Sequence, residues 1–129
     1  MTEQTEKPVV LAVDDTPENL DVVKGVLSSR YIVKAAINGM MALKIAEKKP
    51  PDLILLDIRM PQMDGYEVCR RLKANQVTAS IPVIFLTGES DAASEQDALE
   101  AGAVGYLTKP IDPAILLGKI AACLNQASD

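Results

Sequence analysis

Five short apolar segments recur along the chain, and each ends at polar or turn-forming residues. Short apolar runs that stop at turn signals are typical of buried strands. Between these runs, apolar residues recur at spacings of three and four, which is typical of helices that bury one face. The predicted strands lie at 9–13, 31–37, 53–56, 83–86 and 104–107.

Turn and cap residues indicate where the helices begin and end. Thr16 before Pro17 predicts the start of the first helix as an N-cap, and Asp112 before Pro113 predicts the start of the last helix. Gly102 predicts the end of the fourth helix. The second, third and fourth helices are predicted at 40–49, 65–74 and 91–101.

The strict alternation of strand and helix predicts one parallel sheet with right-handed crossovers and helices on both faces. The first, third and fourth strands are apolar on both sides and should be central, whereas the second carries Lys34 and the fifth is short. The sequence therefore predicts a doubly wound α/β domain with strand order 2-1-3-4-5 and five helices. We expect this domain to span residues 8–126, with a flexible tail at 1–7 and a frayed end at 127–129.

Charge and hydropathy narrow the function classes. With a net charge of -5 and a pI near 4.7, the chain has no basic surface for phosphate backbones, so we expect no direct nucleic-acid binding. Neither an apolar run of the roughly 18 residues that span a bilayer nor a secretory signal is present in the sequence. We therefore expect a cytoplasmic protein that does not enter membranes.

The histidine and cysteine content removes further classes. The sequence contains no histidine, which excludes a Ser-His-Asp triad, a histidine metal cluster and a phosphohistidine on this chain. Cys69 and Cys123 lack the spacing of a zinc site or a disulfide framework, so both are predicted to be reduced packing residues.

Polar residues follow the predicted strands where each strand ends. Asp14 and Asp15 follow the first strand, Asp57 the third, Thr87 the fourth and Lys109 the fifth. Because parallel strands end at one edge of the sheet, these side chains should converge. Two like charges about 4 Å apart repel by roughly 4 kcal/mol at an effective dielectric of 20, so three carboxylates need cations. Oxygen ligands without Cys or His predict Mg²⁺ or Mn²⁺ and disfavour zinc.

The charge balance of this cluster suggests phosphoryl chemistry. Three carboxylates, a dication and Lys109 sum to zero, and an aspartyl phosphate at Asp57 would add only about one negative charge. Carboxylates are known nucleophiles toward phosphoryl groups, and the transfer mainly needs a metal, a cation and a hydroxyl. Lys109 and Thr87 supply the last two.

Four motifs give the chain a family resemblance: VDD at 13–15, LLDIRMPQMDG at 55–65, LTG at 86–88 and GYLTKP at 105–110. With these motifs the chain resembles the response-regulator receiver domains of two-component signalling, of the chemotaxis-regulator type, from about Pro8 to Leu124. The resemblance implies a flavodoxin-like fold. It also implies a phosphodonor that carries phosphohistidine, either a sensor histidine kinase or a histidine phosphotransfer protein.

The resemblance also assigns roles in the metal site. It implies that Asp57 is the phosphoacceptor, that Asp15 and Asp57 ligate Mg²⁺ directly, and that Asp14 acts largely through water. Arg59 would contribute its backbone carbonyl to the metal.

Further roles concern the phosphoryl group and the switch. The resemblance implies that Thr87 and Lys109 bind the phosphoryl group, that the Lys109–Pro110 peptide is cis, and that Tyr106 changes rotamer on phosphorylation. The output partner would bind the face formed by the fourth helix, the fifth strand and the last helix. We also expect Arg59 and Glu89 to form an ion pair that gates water at the mouth of the site.

Other protein classes fit the sequence less well. A flavodoxin-like cofactor binder needs phosphate-binding hydroxyl and N–H groups in its first loop, where this chain has carboxylates. A phosphatase of the haloacid dehalogenase type needs a carboxylate two residues after its nucleophile, and that position is Arg59. We therefore expect no enzyme activity beyond self-catalysed phosphoryl acceptance and autodephosphorylation. Two alternatives stay open: a fragment of a longer regulator with a DNA-binding or cyclic-dinucleotide output domain, and a pseudo-receiver that only binds partners.

Overall fold

Five parallel strands form one sheet in the order β2-β1-β3-β4-β5, and five helices connect and cover them. This computed structural model describes the backbone of residues 7–88 and 93–128 and the side chains of 7–88 and 96–124. The strands are β1 Val9–Val13, β2 Ile32–Ala36, β3 Leu53–Asp57, β4 Val83–Thr87 and β5 Gly105–Thr108. The helices are α1 Pro17–Leu27, α2 Gly39–Lys48, α3 Gly65–Ala74, α4 Ala93–Ala101 and α5 Pro113–Ser128.

The strand order follows from where the apolar residues lie. Every residue of β3 and β4 is buried, and so are four of the five residues of β1. These three strands occupy the centre of the sheet, and β2 and β5 form its edges, which confirms the predicted order. Central parallel strands are covered by helices on both faces, and this is why their sequences are apolar without alternation.

The two faces of the sheet carry separate cores. Leu56 and Phe85 point into the core beneath α2, α3 and α4, which also contains Val68 and Leu72. Their strand neighbours point into the opposite core beneath α1 and α5, whose buried side chains include Leu55, Ile84, Leu20, Leu27, Leu116 and Ile120. Successive strand residues alternate between the faces, so one apolar run supplies both cores.

The helix ends differ from the prediction in detail. Thr16 stands at the N-cap position of α1, but its side chain makes no capping hydrogen bond. Asp112 accepts hydrogen bonds from the N–H groups of Ala114 and Ile115 at 2.9 and 3.3 Å, as an N-cap should. Helix α5 runs to Ser128, and the expected fraying of residues 127–129 stays a prediction.

Lys7 connects the N-terminal segment to the end of α1. Lys7, the last residue of the predicted tail, donates a hydrogen bond to the carbonyl of Ser28 at 3.3 Å. Residues 1–6 and Asp91, the predicted first residue of the fourth helix, lie outside the described residues. Within the described part, none of the helices is both long enough and apolar enough to cross a membrane.

Gly65 sets how closely α3 approaches the end of β3. Its N–H donates to the carbonyl of Ile58 at 2.8 Å, which closes the loop that follows Asp57. A Cβ at this position would collide with the carbonyl oxygen of Asp57 and would lie 2.9 Å from the Cα of Ile58. Only glycine therefore lets the loop fold back against the strand end that carries Asp57.

This close approach yields a stability prediction. Gly65→Ala should lower the free energy of unfolding by about 1–3 kcal/mol, because backbone atoms rather than a flexible side chain must move. The matched control is Gly25→Ala within α1, where nothing lies within 4 Å of the added Cβ. That control should raise the free energy of unfolding by about 0.5–1 kcal/mol, as alanine does in helices. Urea denaturation measures both, and equal stabilisation by the two substitutions would contradict this account of the loop.

Candidate functional site

Three carboxylates converge where the central strands end. Asp14 and Asp15 directly follow β1, and Asp57 is the last residue of β3, the neighbouring strand. Asp14 and Asp57 are 3% and 6% exposed, whereas Asp15 is open to solvent. One carboxylate oxygen from each residue lies within 4.8 Å of the others. The parallel sheet thus holds two charges out of water beside a third.

Lys109 reaches into this cluster from the end of β5. Its Nζ lies 3.1 Å from Oδ1 of Asp57 and 3.4 Å from Oδ2 of Asp14, so one ammonium bridges both buried carboxylates. Its backbone N–H donates to the carbonyl of Thr87 at 2.8 Å, and the peptide to Pro110 is cis. The backbone contact ties the lysine to the end of β4.

Asp14 is also held by the start of α1. Its Oδ1 accepts from the N–H of Thr16 at 2.9 Å, and its Oδ2 accepts from Nδ2 of Asn19 at 3.0 Å. Its own N–H donates to the carbonyl of Ala36 on the edge strand at 3.1 Å. Sequence reasoning missed Asn19, because a single amide within a predicted helix gives no motif. The available signal was its place in the first turn of the helix that follows Asp14.

The electrostatics of the cluster reflect one ammonium among several carboxylates. Burial, and after it the negative charge of Asp14, raise the pKa of Asp57 above its ordinary value, although Lys109 opposes them. Burial lowers the pKa of Lys109, but Asp57 and Asp14 outweigh it, so the pKa of Lys109 is raised. The two pKa shifts are consistent with each other. The ammonium of Lys109 has two carboxylate partners, which favour its charged form. Its single positive charge compensates only part of the burial and repulsion that act on Asp57.

The cluster fits a hard divalent cation. Three carboxylates and one ammonium leave two uncompensated negative charges, which a dication would balance. The ligand atoms are all oxygens, as Mg²⁺ prefers. Oxygens on opposite sides of Mg²⁺ stand about 4.1 Å apart, twice the usual bond length. The 4.8 Å spread of the carboxylates is close enough that small side-chain rotations or a bridging water would complete such a site.

Thr87 is the last residue of β4, and Tyr106 lies on the neighbouring strand β5. Thr87 is 3% exposed, and its hydroxyl donates to the carbonyl of Gly88 at 3.4 Å, a long hydrogen bond. Tyr106 is half-buried and stands opposite Phe85 in the strand pairing, two residues before the Thr87 to Thr108 pair. Tyr106 also lines a cavity of about 310 Å³ between β5 and the start of α5.

Of the two residues of the predicted gate, Arg59 lies within the described part of the chain. Arg59 is exposed two residues after Asp57, in the loop that Gly65 closes. Glu89 lies outside the described residues. The ion pair between them stays a prediction.

Comparisons with known proteins agree with this architecture. A model of the family described as "Response regulator receiver domain" matches residues 10–121. A crystal structure of a chemotaxis protein of Vibrio cholerae is 33% identical, with a TM-score of 0.86, and the match covers 92% of this chain and 99% of that one. The receiver domain of a sensor histidine kinase of Pseudomonas aeruginosa, described with a magnesium ion in its active-site cleft, is 32% identical, with a TM-score of 0.85 and coverage of 92% and 98%.

The first curated relatives that the chain matches are longer proteins. The chain is 46% identical over 111 residues to a Vibrio cholerae protein described as a probable cyclic di-GMP phosphodiesterase, a match that covers 86% of this chain and 25% of that protein. The chain therefore spans about a quarter of the length of the first curated relatives that it matches.

The raised pKa of Asp57 predicts a stabilising substitution. Ionisation of a group whose pKa is raised by folding costs stability above that pKa, and the cost disappears as the pH falls below the ordinary pKa. Asp57→Asn should therefore raise the free energy of unfolding of the metal-free protein at pH 7, by about 1 kcal/mol. This advantage over wild type should shrink as the pH is lowered toward 4, the region of the ordinary aspartate pKa of about 3.9.

Urea denaturation at several pH values in the presence of a chelator measures this difference. Asp21→Asn is the matched control, because it removes the same charge at an exposed position on α1 and should change stability by less than about 0.5 kcal/mol. A destabilised Asp57→Asn protein at pH 7 would show that the Lys109 contact outweighs burial and repulsion.

Proposed function

This chain belongs to the response regulator receiver domains of two-component signalling, and we propose from that premise that it accepts a phosphoryl group on Asp57. The observation that carries the proposal is the placement of the Asp57 carboxylate. It is buried at the end of a central strand, 3.1 Å from an ammonium and beside two further carboxylates. A purely structural role would not require two buried carboxylates to share one lysine beside a third carboxylate.

The chemistry of transfer follows from these contacts. An oxygen of Asp57 forms a bond to phosphorus while the bond from phosphorus to the donor's imidazole nitrogen breaks, and the electron pair of that bond stays with the imidazole. Lys109 follows the new negative charge and binds a phosphoryl oxygen. Thr87 turns its hydroxyl from the Gly88 carbonyl toward a second phosphoryl oxygen, since its present bond of 3.4 Å is weak.

A divalent cation completes the proposal. Asp15, Asp57 and the backbone carbonyl of Arg59 would hold Mg²⁺ or Mn²⁺, with Asp14 bound through water. The cation supplies positive charge for the phosphoryl oxygens at the moment of transfer. The magnesium described in the related receiver domain of the histidine kinase supports this assignment.

This chain has no histidine, so a phosphohistidine donor would lie outside it. A sensor histidine kinase or a histidine phosphotransfer protein would supply the phosphohistidine. The chain itself would catalyse only this acceptance and the later hydrolysis of its own aspartyl phosphate. A pseudo-receiver is disfavoured, because the three aspartates, Thr87 and Lys109 are all present.

The output is proposed to leave through the face formed by α4, β5 and α5. Three large apolar side chains on this face are more than half exposed: Leu99, Val104 and Ile115. Tyr106 lies on the same face and lines the cavity beside Ile115. A second candidate is that the chain is the receiver part of a longer regulator, which the length of the relative described as a cyclic di-GMP phosphodiesterase favours.

The proposed acceptance is tested with a small phosphodonor. With Mg²⁺ and acetyl phosphate, intact protein should gain one phosphoryl adduct by mass spectrometry, and peptide mapping should locate it at Asp57. Asp57→Asn or a chelator should abolish labelling, since the nucleophile or the cation is then missing. Asp21→Asn should label like wild type. Undiminished labelling of the Asp57→Asn protein would refute the assignment.

The proposed output face is tested by amide hydrogen exchange with and without beryllofluoride, a mimic of the phosphoryl group. Exchange should change most in α4 and β5, because the movement of Thr87 opens space into which the Tyr106 ring can turn. The Asp57→Asn protein should show no change on addition of beryllofluoride. Changes confined to α2 and α3 would contradict this route.

A further inference from the structure

The carboxylate of Asp14 accepts hydrogen bonds from three donors. Its Oδ2 accepts from two groups, Nδ2 of Asn19 at 3.0 Å and Nζ of Lys109 at 3.4 Å, while its Oδ1 accepts from the N–H of Thr16 at 2.9 Å. The residue is 3% exposed, so protein groups rather than bulk water satisfy this carboxylate. Asn19 and Lys109 thus share one oxygen, and the amide is the nearer of the two.

The two donors differ in how firmly they are held. Asn19 lies in the first turn of α1, where its own N–H donates to the carbonyl of Thr16 at 3.0 Å. The next residue, Leu20, is buried in the core beneath α1, which fixes this turn against the sheet. Lys109 instead reaches Asp14 at the end of a long side chain that also contacts Asp57. Only the lysine is free to follow a change at Asp57.

Lys109 and Asn19 should respond differently when charge builds at Asp57. When charge builds at Asp57, Lys109 is drawn away from Asp14, and an approaching dication repels the ammonium as well. If Asp14 lost both side-chain donors, only the N–H of Thr16 would remain, and the carboxylate would incur a desolvation cost at Oδ2 or rotate away from the metal. A neutral amide avoids both problems, because it donates a hydrogen bond without adding positive charge that would oppose cation binding.

We propose that Asn19 is a positioning residue for the cation site: its amide keeps the Asp14 carboxylate oriented toward the metal once Lys109 has moved. The inference rests on the proposed function, since it assumes that Asp14 takes part in binding Mg²⁺. The alternative is that Asn19 only stabilises the start of α1. In that case its loss lowers stability equally with and without Mg²⁺ and leaves the affinity for Mg²⁺ unchanged.

The test compares Asn19→Leu and Asn19→Ala with wild type. The first variant keeps the approximate size of the side chain and the second removes it, but neither has an amide donor. Mg²⁺ affinity is measured directly by isothermal titration calorimetry, and thermal melts with and without Mg²⁺ give a second measure of the same binding. Both variants should bind Mg²⁺ about 10-fold more weakly, the effect usual for groups that orient a metal ligand.

Val22→Ala provides the matched control, because Val22 lies on the same helix one turn later and is 54% exposed. It should bind Mg²⁺ within about twofold of wild type, the difference that remains when no group that orients a ligand is lost. Equal Mg²⁺ affinity in wild type and both Asn19 variants would overturn the inference and leave the proposed function intact. A loss in only one variant would indicate packing and would also overturn it. If wild type itself did not bind Mg²⁺, both the metal site of the proposed function and this inference would be refuted.

Discussion

The contact of one ammonium with two buried carboxylates is the interaction on which the candidate site depends. Lys109 lies 3.1 Å from Asp57 and 3.4 Å from Asp14, and neither aspartate is more than 6% exposed. Two like charges in such a place are unfavourable, and a single lysine compensates only part of the repulsion. The remaining negative charge favours the binding of a dication at this site.

The fold tolerates this charge because the charged residues lie only where the strands end. Within the sheet, β3 is entirely buried and apolar until its last residue, Asp57, and the strand gains stability from the cores on both faces. Because all the strands are parallel, residues far apart in sequence end at the same edge without any long loop. Gly65 then allows the loop after Asp57 to return closely, so the edge stays compact around the acidic residues.

The sequence predicts the sheet well because its signal is strong: fully buried strands need continuous apolar runs, and edge strands do not. The cluster of Asp14, Asp57 and Lys109 could be predicted from the sheet, because parallel strands end on the same side of it. Side-chain hydrogen bonds were harder to predict. The backbone N–H of Thr16 donates to Asp14, while the Thr16 side chain makes no capping hydrogen bond. Asn38 caps α2, because its side chain accepts from the N–H of Met41 at 2.8 Å. Such choices between short polar contacts depend on angles that spacing does not encode.

The proposed switch is limited by the free energy that its contacts can supply. Thr87 would exchange a 3.4 Å bond to the Gly88 carbonyl for a bond to a charged phosphoryl oxygen. Hydrogen bonds to charged groups contribute about 1.5–3 kcal/mol, whereas one this long contributes little. A ligand or modification shifts an equilibrium only by its differential interaction with the two states. Movement of Thr87 alone could therefore change the population of an inward Tyr106 ring by about 10- to 150-fold, the ratio that corresponds to 1.5–3 kcal/mol. That is sufficient to switch a partner surface, provided that both ring positions are close in energy before phosphorylation, as the half-buried setting of Tyr106 beside Phe85 permits.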